Sequence, residues 1–197
     1  MHIGLFLDRD GTINEEVEYL SSSHQVRLIP RAAEAIHEAN KLGFKVIGIS
    51  NQSGVARGMF TEDDVKIVNT TLRTLLEKEN AHLDAMYYCP HYPKGERSPY
   101  NIECECRKPK IGMLLRAQKE FQLDLTRSFV IGDKISDIQT GNNAGAVSIL
   151  VLTGYGKNQV NLLTGLNGHA EYIATDLMDA LNHIKQLLSS TLLSRSK

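Results

Sequence analysis

The sequence predicts an α/β protein, a doubly wound, Rossmann-like parallel sheet, from three features of its patterning. Short, continuously apolar runs alternate with helical patterns along most of the chain. These runs lack the in-out alternation of half-exposed strands, so both faces must be covered, as in parallel sheets packed between helices. Polar clusters follow the runs, where such sheets bind ligands outside the carboxyl ends of their strands.

"IGLFL" (3–7) reads as the first strand and "RAAEAIHEANKLG" (31–43) as the first helix. Gly43 closes that helix because glycine tolerates the left-handed backbone that follows a last turn. "FKVIGIS" (44–50) is the second strand, and Thr61 and Asp64 of "TEDD" form a capping box opening a helix over 62–80. "AMYYC" (85–89) is a strand, "IGMLLRAQKEFQL" (111–123) a helix, and "SFVIGD" (128–133) a strand. Residues 136–145 form a helix, "VSILVL" (147–152) a strand, "EYIAT" (171–175) an edge strand and 176–190 a final helix. One domain over 1–190 and a frayed tail over 191–197 are expected. No internal repeat, linker or low-complexity segment interrupts this order.

A chain of 197 residues with 42% hydrophobic content can bury one sizeable core. Its formal charge of -1 provides no basic footprint for nucleic acid or an anionic membrane. No apolar run approaches the ~18 residues of a membrane span. Charges at Asp8, Arg9 and Asp10 come too early for a signal peptide. The expectation is a cytoplasmic monomer with neither a nucleic-acid nor a membrane partner.

All 3 cysteines fall within "CPHYPKGERSPYNIECECRKPK" (89–110), among polar residues where no apolar core can form. An odd count leaves no complete disulfide pairing. Cys89 and His91, followed by Cys104 and Cys106, supply the ligand set of a closed tetrahedral Zn²⁺ site. Reactive or buried thiols beside an unrelated histidine are the alternative. Zinc-type thiols fit a reducing compartment, and an ion would order a loop of unusual length. A closed site leaves no position for substrate, so catalysis must come from elsewhere. Histidines 2, 24, 37, 82, 169 and 183 lack ligand spacing.

"DRDGT" (8–12) follows the first strand and "GDKISD" (132–137) the fourth. Strand alternation directs Asp8 and Asp10 to one side, although such pairs also serve turns and helix caps. The two strings together resemble the first and last motifs of the haloacid dehalogenase-like phosphohydrolases. The resemblance implies that Asp8 is the nucleophile, forming an aspartyl phosphate, and that Asp10 is the acid/base. It implies Mg²⁺ held by Asp8, Asp133 and the backbone carbonyl of Asp10, with Asp137 behind them. Ser50 of "SNQSG" (50–54) and Lys108 of "CRKPK" (106–110) match the remaining catalytic positions, Lys108 balancing charge at the transferring group.

Residues 13–30 and 90–107 are too short to be the cap domain that many of these enzymes carry, so the protein is expected to be capless. Two capless families carry a zinc loop of the form "CPH…C-x-CRKP": D-glycero-D-manno-heptose-1,7-bisphosphate phosphatases and histidinol-phosphate phosphatases. "NQSGVARGMFTE" (51–62), the longer zinc loop and "IGDKISDIQ" (131–139) resemble the heptose enzymes more closely, over residues 3–155. That likeness implies a small-molecule sugar bisphosphate as substrate, contacted by Glu16, Tyr19, Ser50, Asn51, Gln52, Ser53, Arg57, Arg107, Lys108 and Lys134. Zinc would then fix the chain just before Arg107 and Lys108. Glu18-Tyr19 departs from the family's Gly-Tyr pair and leaves the sugar preference open. A histidinol-phosphate phosphatase and a noncatalytic zinc-stabilised binding module are the alternatives.

Overall fold

A computed structural model of the chain describes residues 1–163 and 168–194. Six strands form one parallel sheet: β1 (Gly4–Asp8), β2 (Lys45–Asn51), β3 (Ala85–Cys89), β4 (Phe129–Gly132), β5 (Val147–Val151) and β6 (Tyr172–Ala174). Their spatial order is β3-β2-β1-β4-β5-β6. From β1 the chain builds outward to β3, then crosses to β4 on the other flank. The order therefore reverses between β1 and β4, the place where a doubly wound sheet opens a crevice. Asp8 ends β1 and Asp133 follows β4, so both carboxylates arrive at that crevice.

The helices are α1 (Ala32–Lys41), α2 (Glu62–Lys78), α3 (Gly112–Phe121), α4 (Ile135–Ala144), the short α5 (Gly156–Gln159) and α6 (Leu177–Ser194). Side-chain alternation along the buried strands divides the core. Leu5, Leu7, Phe129 and Ile131 pack with α1, α2 and α6 on one face. Phe6, Ile47, Ile49 and Val130 pack with Met113, Leu114 and Ala117 of α3 on the other. With both faces covered, the strands need no polar side, which explains their unbroken apolar runs.

Each expected strand and helix is present, with ends displaced by a few residues. The Thr61–Asp64 capping box forms as expected, and Gly43 takes φ 82° after α1. The short 3-10 turns at Ser23–Gln25, Leu125–Arg127 and Val160–Leu163, like α5, were not anticipated because they are too short to show a period. Neither Gly nor Pro occurs between Leu177 and Ser194, and α6 continues past its expected end at 190. The last part of the expected frayed tail, 195–197, lies outside the described residues. No cap domain is inserted between β1 and α1 or between β3 and α3. Among the described residues, no helix is long and apolar enough to cross a membrane.

Leu72 of α2 is fully buried in the larger core cluster. Leu72→Ala is expected to lower unfolding free energy by about 2–5 kcal/mol. Denaturant titration giving a loss below about 1 kcal/mol would contradict this packing.

Candidate active site

Lys108 lies at the centre of the site. It is wholly buried, donates from Nζ to Asp8 Oδ1 at 2.6 Å and to the Ile49 carbonyl at 3.0 Å, and lies 2.5 Å from Asp137 Oδ1. Burial alone would lower its pKa; the charges of Asp137 and Asp8 outweigh that and hold it above the ordinary lysine value. Asn51 fixes the same residue through its backbone, accepting from Lys108 N at 3.0 Å and donating to Lys108 O at 3.1 Å. Asn51, expected to touch sugar, also lines a cavity beside the site, so its side chain aims the lysine without leaving that position.

Carboxylate oxygens of Asp8, Asp133 and Asp137 all lie within 4.8 Å of one another, and all three residues are buried. Asp137, expected behind the other two, stands close to them and against Lys108, while the side chain of Asp10 lies outside the group. Asp133 accepts from Tyr155 N at 2.8 Å through Oδ2. Its Oδ1 has no hydrogen-bond partner and lies 3.8 Å from Lys134 Nζ. Burial, then the charge of Asp8, push the Asp133 carboxyl up to about 8. A buried acid with an orphaned oxygen beside two further carboxylates fits a hard divalent cation such as Mg²⁺.

Asp10 belongs to a separate network. Arg9 Nε and Nη2 donate to its two oxygens at 3.0 and 2.7 Å, joined by Asn14 Nδ2 at 2.9 Å and Gln52 Nε2 at 2.9 Å. Burial would raise the Asp10 pKa; the Arg9 charge and these hydrogen bonds prevail and leave it lowered. Arg9 itself is 0% exposed and reaches Asn69 Oδ1 of α2 at 3.0 Å. It was missed in the sequence, although one signal was available. An arginine at the end of a buried strand needs a carboxylate partner, and Asp8 and Asp10 flank it.

A cavity of about 250 Å³ opens beside these groups, lined by Asp10, Glu16, Glu18, Tyr19, Ser53 and Lys134 among others. Lys134, expected at a distal phosphate, pairs with Glu16 at 2.9 Å and lies over the Tyr155 ring at 4.7 Å. Ser50 is buried, and its hydroxyl accepts from Gln52 Nε2 at 2.7 Å. Glu18 adopts φ 53°, the left-handed conformation that a glycine would take without strain. Arg57 and Arg107, expected at the cavity rim, do not line it. Both stack on Tyr92, at 4.2 and 5.0 Å from its ring centroid, and Arg107 Nη1 donates to the His91 carbonyl at 3.2 Å. Cation–π contact and this hydrogen bond hold them with the cysteine loop.

In that loop, the ligand atoms of Cys89, His91, Cys104 and Cys106 also lie within 4.8 Å of one another. The Sγ of Cys89 is 3.4 Å from that of Cys104 and 2.9 Å from that of Cys106, and His91 Nδ1 is 3.4 Å from Cys106 Sγ. A tetrahedron of thiolates at ~2.3 Å from an ion has edges of about 3.8 Å, so the set is of the size that Zn²⁺ requires, slightly contracted. The protein also anchors the loop. Tyr88 and Tyr100 donate to the two Glu62 oxygens at 3.0 and 2.9 Å, and Ala56 O accepts from the backbone of Glu96 and Arg97.

A parallel sheet with a buried carboxylate cluster and lysine at its switch point agrees with the haloacid dehalogenase-like class, and a family model described as HAD-hydrolase-like matches residues 105–180. The chain is 36% identical over 189 residues to the D-glycero-beta-D-manno-heptose-1,7-bisphosphate 7-phosphatase of Haemophilus influenzae, covering 95% of this chain and 99% of that one. It is 40% identical over 183 residues to the D-glycero-D-manno-heptose-1,7-bisphosphate 7-phosphatase of Chlorobaculum tepidum, covering 90% and 91%. Among solved structures, the D,D-heptose 1,7-bisphosphate phosphatase from B. bronchiseptica, complexed with magnesium and phosphate, superposes with TM-score 0.83 at 27% identity over 94% of this chain and 99% of that one. The chain belongs to the heptose-1,7-bisphosphate 7-phosphatase family of the haloacid dehalogenase-like phosphohydrolases.

Two consequences are measurable. Arg9→Ala would leave Asp10 buried without its counter-charge and is expected to cost about 3–5 kcal/mol in denaturant titrations; a loss below about 1 kcal/mol would contradict the pairing. Burial and the charge of Asp8 push the Asp133 carboxyl up to about 8 from an ordinary value of 3.8. Its stabilising contribution is therefore full below its unfolded pKa and is lost as pH rises through the folded one. In chelator, Asp133→Asn should melt higher than the parent at pH 8, with a smaller gap at pH 5. Equal gaps would contradict the shift.

Proposed function

We propose that this protein is a magnesium-dependent phosphatase that removes the 7-phosphate of D-glycero-D-manno-heptose 1,7-bisphosphate by way of an aspartyl phosphate. The observation that carries this reading is Asp8, held by Lys108 at the sheet's switch point beside the orphaned oxygen of Asp133. The family's printed activity supports the substrate.

Asp8 attacks phosphorus, forming an O–P bond as the bond to the sugar oxygen breaks. Asp10 gives that oxygen a proton, then recovers one from the water that cleaves the acyl phosphate. Burial is outweighed by the Arg9 charge and the hydrogen bonds, which lower the Asp10 pKa and favour the ionised form that the second step needs. For the first step, Asp10 takes up a proton from solvent before the sugar oxygen leaves. Lys108 balances charge on the transferring group while keeping Asp8 aimed. Mg²⁺, with Asp8, Asp133 and the Asp10 carbonyl as ligands, would offset repulsion between the anionic nucleophile and the phosphate. Zn²⁺ would be held by Cys89, His91, Cys104 and Cys106 in a structural role. The second phosphate has two cationic neighbourhoods open to it: Lys134 at the cavity, and the Arg57–Arg107 pair on Tyr92.

Phosphate release should be far faster from heptose 1,7-bisphosphate than from histidinol phosphate, and Asp8→Asn should abolish it with the fold intact by circular dichroism. Faster release from histidinol phosphate would overturn the substrate, and turnover by Asp8→Asn the nucleophile. Protein purified under reducing conditions should hold about one zinc per chain, as the four-ligand set requires. Elemental analysis finding none would remove the structural ion.

A further inference from the structure

The segment Leu152-Thr153-Gly154-Tyr155, just after β5, takes no part in the proposed reaction. Three contacts join it to the catalytic turn. Thr153 Oγ1 donates to the Gly11 carbonyl at 2.6 Å, tying the segment to the loop that follows Asp10. The Tyr155 backbone N–H donates to Asp133 Oδ2 at 2.8 Å. Gly154 and Gly11 close on the same carboxylate from two sides. A Cβ on Gly154 would lie 2.2 Å from Asp133 Oδ2 and 2.6 Å from the Gly11 Cα; a Cβ on Gly11 would lie 2.1 Å from Asp133 Oδ2. Both glycines have positive φ, 53° and 86°, so backbone path and space alike call for glycine.

We propose that Thr153, Gly154 and Tyr155 are positioning residues that fix the rotation of the Asp133 carboxylate and so decide which of its oxygens is offered to the cation. The segment engages Oδ2 through one backbone donor and Gly154, with Gly11 of the catalytic turn closing on the same oxygen. Oδ1 is left buried and without a hydrogen-bond partner, in a residue whose carboxylate lies within 4.8 Å of those of Asp8 and Asp137. A carboxylate free to rotate would present either oxygen, and one fixed in advance need not lose that freedom when the cation binds. Lys134, whose ammonium lies over the Tyr155 ring, steadies the segment from the cavity side. The Thr153 bond makes the arrangement reciprocal, because the turn that presents the Asp10 carbonyl is braced by the segment that holds Asp133. This inference rests on the proposed Mg²⁺ site, but not on the identity of the sugar.

The test is direct Mg²⁺ binding by calorimetry, together with the Mg²⁺ concentration giving half-maximal hydrolysis of a small aryl phosphate. Groups that orient metal ligands typically change metal affinity by about 10- to 100-fold when removed. Thr153→Val is expected to weaken Mg²⁺ binding about tenfold, with turnover recovering at saturating Mg²⁺ and Thr153→Ser restoring the parent affinity. Gly154→Ala, which drives a methyl into Asp133, should weaken binding further. If Thr153→Val lowered the melting temperature in chelator yet bound Mg²⁺ like the parent, the residue would be a simple brace and the proposal wrong. Unchanged affinity in both variants would overturn it as well. A parent protein that bound no Mg²⁺ would remove the cation site and this inference with it, whereas Mg²⁺ binding without heptose bisphosphate turnover would overturn only the substrate.

Discussion

The ammonium of Lys108, enclosed by Asp8, Asp137 and the Ile49 carbonyl, is the contact on which the site depends. Three carboxylates are buried together, two at the ends of neighbouring strands and Asp137 in the first turn of α4, where their mutual repulsion and lost hydration would be prohibitive without compensation. Lys108 supplies one compensating charge from a connection distant in sequence, and the chain is built to deliver it. Asn51, the last residue of β2, clamps its backbone. Pairing across a hundred residues of sequence links the β1 turn and the β3–α3 connection to one structure. A buried ion pair is weak evidence for stability by itself, and here its value is positional.

One lysine does not neutralise the cluster. Asp133 is left with an orphaned oxygen and a carboxyl pushed up to about 8. That strain on the Asp133 carboxyl is located where a divalent ion would relieve it. The glycines around Asp133 belong to the same economy of space. At Gly11 and Gly154 the backbone approaches the carboxylate too closely for a side chain, letting main-chain donors do work that polar residues would otherwise do.

The cysteine loop combines two kinds of restraint. Its ligand atoms converge as a metal site would require, yet Glu62 also holds two tyrosine hydroxyls and Ala56 accepts two backbone donors. Cys106 and Lys108 are separated by a single residue, so order in the loop is transmitted to the buried ammonium over a very short stretch of chain. Arg57 and Arg107 share the ring of Tyr92 on the same side of the molecule. That stacking keeps two guanidinium groups together despite their repulsion, because each interacts favourably with the ring.

The sequence by itself determined the layering, because continuously apolar strands need cover on both faces, and it determined the residues that gather, because "DRDGT" and "GDKISD" sit where strand ends must meet at the switch point. The cysteine–histidine set was legible for the same local reason: close spacing leaves few other arrangements. Partnership between distant residues was decided only by the tertiary structure. Nothing in the order of residues shows that Arg9 turns both nitrogens onto Asp10, that Asn51 grips Lys108, that Lys134 is already paired with Glu16, or that Arg107 lies on Tyr92 away from the cavity. Each of these pairings depends on which side chains share a desolvated space once the sheet and its connections have closed. Spacing along a chain specifies local geometry, whereas a buried charge selects its partner among whatever groups the whole fold brings within reach.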